Sequence, residues 1–218
     1  MKNRKFYNFA RDETTGGREL FIDGEISSEL WFGDEVTPRD FKEQLFSGSG
    51  DITLWISSPG GDVVSASQIY SMLKDYQGEI TVKIYGMSAS AATVIAMAGD
   101  RILMSPTALF LIHNPWTVAV GDKSEMQKAS ATLDAVKESI INAYEIRTQL
   151  PRAKSSRLMD LEQAMDANMA IALGFVDGMI ADEKKPETPP SEPQIENKTT
   201  IQSCYSRLNL LSGGKMYV

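Results

Sequence analysis

Apolar and polar residues alternate along Glu19–Ile26 ("ELFIDGEI"), the period-two pattern of a half-buried strand. A threonine, a proline and an amphipathic run follow over Thr37–Phe46, which predicts a helix with Pro38 at its first position. Asp51–Ser58 ("DITLWISS") reads as a β-branched and aromatic strand, stopped by Pro59-Gly60-Gly61. Helical spacing resumes over Asp62–Tyr76, directly after the two glycines. Glu79–Gly86 is strand again, and Ser90–Gly99 is a compact helix closed by glycine. "RILMS" and "TALFLIH" read as two strands separated by Ser105-Pro106-Thr107. From Asp122 to about Gln149 a helical pattern runs without Gly or Pro. That helix is too long to be buried on all sides, so it projects or packs on a neighbouring subunit. Asp166–Gly174 has an aspartate cap and a glycine stop, and "FVDGMI" closes the domain as a strand.

This βαβ rhythm implies a parallel sheet with right-handed crossovers. Composition changes at Asp182, where "KKPETPPSEPQIENKTT" carries four prolines and almost no large apolar residue. The expected organisation is one α/β domain over 1–183 and a proline-rich, flexible tail over 184–218. The final stretch, "IQSCYSRLNLLSGGKMYV", regains hydrophobicity, and docking and looseness both stay open for it.

Composition narrows the function by exclusion. At 218 residues and 42% hydrophobic, the chain can bury a real core. Its longest apolar stretches fall short of the roughly 20 residues that span a bilayer. The basic amino terminus lacks an apolar signal region, so a cytoplasmic setting is expected. One cysteine, Cys204, and one histidine, His113, exclude an internal disulfide and any multi-Cys or multi-His metal centre. A net charge of -7 argues against nucleic acid or anionic membrane as partners. Neither a Walker loop nor GxGxxG is present, and no cofactor is expected.

Ligand sites in such folds lie beyond the carboxyl ends of the strands. Three features are predicted there: Gly60-Gly61, the serines of "YGMSASAATVIAMAGD" (Tyr85–Asp100), and His113. A serine hydroxyl becomes nucleophilic when a base takes its proton, and histidine is the usual base near neutral pH. The oxyanion of acyl transfer needs fixed N–H donors. The Ala91 N–H, at a helix start, and a backbone N–H beside the bare Gly61 are natural ones. Gly86-Met87-Ser88 fits the opening of a G-x-S-x-G elbow but Ser90 stands where its last glycine belongs. Spacing favours Ser90 and leaves Ser88 open. Each signal also has a plainer explanation: a serine N-cap, a structural histidine, an ordinary strand-ending turn.

In order, "WISSPGGDVVSASQIYSML", "GMSASAATVIAMAGD", "ALFLIHNP" and "ALGFVDGMI" resemble the successive landmarks of the ClpP-type serine peptidases, and within them the phage head maturation (prohead) proteases. The resemblance runs from about Glu19 to Ala181. It implies the ClpP/crotonase-like spiral of βαβ units, with the long helix as a projecting handle. It matches the nucleophile to Ser90, against Ser88, and the base to His113. The oxyanion donors match the N–H groups of Gly61 and Ala91, with Gly60 beside them at the substrate. The triad acid matches Glu162, with Asp160 as the alternative in Asp160-Leu161-Glu162. The aromatic that often follows the acid in relatives is Ala164 here. The resemblance further implies a homo-oligomeric ring, a heptamer or tetradecamer, cleaving protein substrates such as capsid or scaffold proteins, with or without a Clp-type ATPase. Two alternatives stand beside it, an acyl-CoA enzyme on the same crotonase-type spiral and a ring-forming scaffold without activity. A serine–lysine signal-peptide peptidase would normally carry a membrane anchor.

Overall fold

The computed structural model describes residues 6–11, 17–27 and 38–180. These lie in a compact unit spanning Met1–Ala181. The tail expected over 184–218 and the threonine expected to cap at Thr37 are outside the described residues.

The elements are β1 (Tyr7–Arg11), β2 (Arg18–Asp23), α1 (Pro38–Phe46), β3 (Ile52–Ser58), α2 (Val63–Asp75), β4 (Ile80–Ala89) and α3 (Ala91–Ala96). Then come β5 (Arg101–Met104), β6 (Leu109–Leu111), α4 (Lys123–Thr148), α5 (Arg152–Asp160), β7 (Ala164–Met165), α6 (Ala167–Ala172) and β8 (Gly178–Met179). Pro38 opens α1, as its fixed φ and missing N–H predict. Asp62, Asp122 and Asp166 cap α2, α4 and α6, accepting from the N–H groups of Ser65, Glu125 and Met169 at 2.6, 3.1 and 2.8 Å.

β2, β3, β4 and β5 run parallel, with β8 parallel on the far edge and β1 antiparallel on the near one. The core is strand residues facing helices: Leu20, Ile22, Leu54, Ile56, Val82 and Ile84 are fully buried. β4 is longer than its sequence pattern predicts because Gly86 does not end it. Ile56 pairs with Ile84 but Ser58 pairs with Ser88, so β4 takes four steps where β3 takes two. A Cβ at Gly86 would stand 2.6 Å from the Ser57 hydroxyl, so a side chain at the bulge would make that hydroxyl turn away. Before the bulge β4 pairs with β5, and after it Met87–Ala89 pair with β6. The change of partner lets the sheet wind into a second row, the expected spiral, and sets the ends of β3, β4 and β6 side by side. β7 then adds to β6 antiparallel.

α4 is the long helix the sequence predicts, 26 residues and roughly 39 Å at 1.5 Å per residue. Its fully buried residues are Ile140, Ile141, Ala143 and Tyr144, all in its second half, while residues 123–128 are exposed. Arg152 of α5 ties that half down through Glu145 (2.6 Å) and Glu138. No described helix is long and apolar enough to cross a membrane.

Candidate active site

β4 delivers Ser90 at the start of α3, in the position of an N-cap, but its side chain makes no capping hydrogen bond. Its backbone sits at φ 54°, ψ -127°, a region that costs a non-glycine residue on the order of 1–3 kcal/mol. A normal serine cap would instead contribute about 1 kcal/mol. Forgoing the cap and holding a strained backbone leaves the hydroxyl available, so the plain capping explanation of Ser90 does not hold. Ser88, in contrast, is 0% exposed with its hydroxyl unpartnered. A group sealed off in this way cannot meet a substrate.

The Pro59-Gly60-Gly61 turn packs directly on Ser90. A Cβ on Gly60 (φ +97°) would lie 2.6 Å from the Ser90 Cβ and 2.9 Å from the Ala91 nitrogen. Gly61 (φ +138°) forms a parallel bridge with Ile26, in which Ile26 N–H donates to the Gly60 carbonyl and Asp62 N–H to the Ile26 carbonyl, both 2.8 Å. Those bonds use the flanking peptide groups, so the N–H of Gly61 itself points away from Ile26. The Ala91 N–H opens α3, where no intrahelical acceptor exists. Ser90, Ala91, Gly60, Gly61 and His113 line one cleft of about 690 Å³.

His113 follows β6 and is half-buried. Its Nδ1 lies 2.6 Å from the Asn114 carbonyl oxygen. A carbonyl only accepts, so this bond puts the proton on Nδ1 and leaves the Nε2 lone pair free. No hydrogen bond joins His113 to Ser90, Glu162 or Asp160 among the described residues.

The two carboxylates differ in their surroundings. Asp160 accepts from Lys137 Nζ at 2.6 Å and from Asn114 Nδ2 at 3.0 Å. The Lys137 hydrogen bond, then that of Asn114, holds the Asp160 carboxyl below its ordinary value. Glu162 is exposed, with φ 48°. It stands in the turn between α5 and β7. There the β6–β7 ladder pairs Phe110 with Met165 and Leu111 with Ala164, and Ile112 N–H donates to the Gln163 carbonyl at 3.1 Å. Glu162 itself lies outside that ladder, its left-handed backbone closing the end of α5 with its N–H donating to the Met159 carbonyl at 3.1 Å. Neither carboxylate lines the cleft.

The sequence reading missed part of the cleft wall. Trp116, Val118, Ile140 and Tyr144 also line it. Tyr144 was hidden in the helical periodicity of α4, where an inward aromatic looks like core. Its hydroxyl lies 2.6 Å from Thr93 Oγ1, and burial raises its phenol well above the ordinary value.

Comparison with known proteins identifies a family. The family model described as Clp protease matches residues 41–183, a span that includes every candidate site residue. The ATP-dependent Clp protease proteolytic subunit of Pleurastrum terricola is 31% identical over 151 residues, 68% of this chain and 73% of that protein. The protein of the same description from Sorghum bicolor is 28% identical over 179 residues, 81% and 82% of the two chains. That of Leuconostoc citreum (strain KM20) is 27% identical over 180 residues, 78% and 87%.

Proposed function

This chain belongs to the Clp protease family, and from that premise we propose that it is a serine endopeptidase with Ser90 as nucleophile and His113 as base. The observation that carries the proposal is the single cleft holding the uncapped Ser90, His113 and the two free N–H groups of Gly61 and Ala91. Ser90 Oγ attacks the peptide carbonyl while His113 Nε2 takes its proton. The Gly61 and Ala91 N–H groups stabilise the oxyanion. When the tetrahedral intermediate collapses, the imidazolium returns the proton to the departing amine. Water, deprotonated by the same Nε2, then releases the acyl group and restores Ser90. Glu162 orients His113 and stabilises its imidazolium once the Nδ1–H turns from the Asn114 carbonyl to its carboxylate. Asp160, the alternative, has its carboxylate engaged by Lys137 and Asn114.

The exposed outer end of α4 supports assembly into a homo-oligomeric ring. The substrate we propose is a capsid or scaffold protein during phage head maturation, in a host cytoplasm, on the strength of the resemblance to the prohead proteases. The relatives' names support delivery by a Clp-type ATPase, so cleavage of a purified capsid protein without ATP decides between independent and assisted action. The primary test is labelling with a fluorophosphonate probe and peptide mapping of wild type, Ser90→Ala and His113→Ala. Label on Ser90 that is lost in both variants is expected. A folded wild type that stays unlabelled would instead favour the inactive scaffold.

A further inference from the structure

We propose that Thr93 and Tyr144 are positioning residues for the nucleophile, forming a buried chain of hydroxyl donors that ends on the Ser90 carbonyl and holds Ser90 in its strained conformation. The inference rests on the reading of Ser90 as nucleophile. Thr93 Oγ1 lies 2.6 Å from the Ser90 carbonyl oxygen and 2.6 Å from the Tyr144 hydroxyl. The carbonyl can only accept, and threonine has one hydroxyl proton, so Thr93 donates to Ser90 and Tyr144 donates to Thr93. Thr93 is 0% and Tyr144 1% exposed, so water does not compete for either bond.

A threonine bonded to the carbonyl three residues back is common within helices, and explains the first link alone. It does not explain why a phenol 51 residues along the chain turns its hydroxyl onto that threonine. Phenylalanine would fill the same wall of the cleft. The Tyr144 ring is fixed edge-on against Phe175, centroids 5.4 Å apart, on the one stretch of α4 that is buried. The other side of Ser90 is fixed too, its N–H donating to the Leu111 carbonyl at 2.9 Å. The peptide units flanking Ser90 are thus clamped by β6 before it and by Thr93 after it. Between those two anchors the backbone keeps φ 54°.

The test compares Tyr144→Phe, Thr93→Val and Thr93→Ser with wild type, using the fluorophosphonate labelling rate, kcat and KM on a small peptide ester, and thermal melting. Tyr144→Phe and Thr93→Val are expected to lower the labelling rate and kcat by roughly ten- to a hundredfold, since small displacements of a nucleophile are that costly. KM should stay within about twofold, because the lost hydroxyls do not touch substrate. Thr93→Ser should restore most of the rate lost in Thr93→Val. The pair Thr93→Val with Tyr144→Phe should be no slower than Thr93→Val alone, because Tyr144 acts through Thr93. Wild-type labelling and kcat in Tyr144→Phe would overturn the inference, as would a rate loss fully accounted for by the unfolded fraction. If Tyr144→Phe does not fold, Thr93→Val against Thr93→Ser makes the same decision: equal rates overturn it. A labelled wild type with unaffected variants rejects this inference alone, whereas an unlabelled wild type rejects the nucleophile as well.

Discussion

At Ser90 the main chain adopts a conformation that glycine tolerates and serine does not. Its neighbour across the turn, Gly60, is confined even more tightly, since a Cβ there would stand 2.7 Å from the Ala89 carbonyl and 2.6 Å from the Ser90 Cβ. Neither partner is the end of a flexible side chain, so both backbones would have to part. Gly60→Ala should therefore lower fluorophosphonate labelling at least a hundredfold and destabilise the fold by about 1–3 kcal/mol. Labelling kinetics and urea unfolding check the two halves. Labelling at the wild-type rate would mean that the glycine turn and the nucleophile are not coupled. The residue types at this edge were readable in the sequence, as serine, histidine and paired glycines after strands. Their state was not: whether Ser90 caps α3, and whether Ser88 reaches solvent, depends on backbone angles and burial that identity alone leaves free.

Among the elements, the β6–β7 ladder decides most about the site. It brings the segment that follows Glu162 alongside β6, while the end of α5 gives Asp160 to Lys137 on α4. Glu162→Gln should lower kcat at least a hundredfold with KM little changed, because a neutral amide cannot stabilise the imidazolium. Asp160→Asn should cost less than about tenfold, its partners being an exposed lysine bridge and an amide. Peptide-ester kinetics on the two variants separate these roles, and the reverse order would move the acid to Asp160. The resemblance put Glu162 before Asp160, but β7 itself was unread, since it is two residues long and carries no alternating pattern. α5 and β1 were also unread. Among the buried residues of α5, Ser155, Leu158 and Met159, only two are apolar, too few to mark a face. β4 was cut short at Gly86 because a glycine in a strand reads as a stop, where here it serves a bulge.

For the whole molecule, α4 matters most. A helix roughly 39 Å long whose buried residues all lie in its second half leaves an outer end, residues 123–128, exposed. The wild type should sediment as a multiple of its 24.0 kDa chain. Met126→Lys, at an exposed position on that outer end, should weaken association at least tenfold, about 1.4 kcal/mol, without altering thermal unfolding of the subunit. Sedimentation velocity over a dilution series measures this, and a wild type that runs as a single 24.0 kDa chain would remove the ring from the reading.

The sequence by itself determined the alternation of strands and helices, the Asp166 cap, the length of α4 and the order of the landmarks carrying Gly60-Gly61, Ser90 and His113. These are set by local periodicity, capping chemistry and turn residues, which act over a few positions and so are written in consecutive letters. Tertiary structure alone decided that β4 changes partner at a bulge, that Ser90 is strained and uncapped, that Ser88 is sealed, that Asp160 is held by Lys137, and that Tyr144 meets Thr93. Each of these is a contact or an exclusion between segments far apart in the chain, fixed only when the sheet has closed around them.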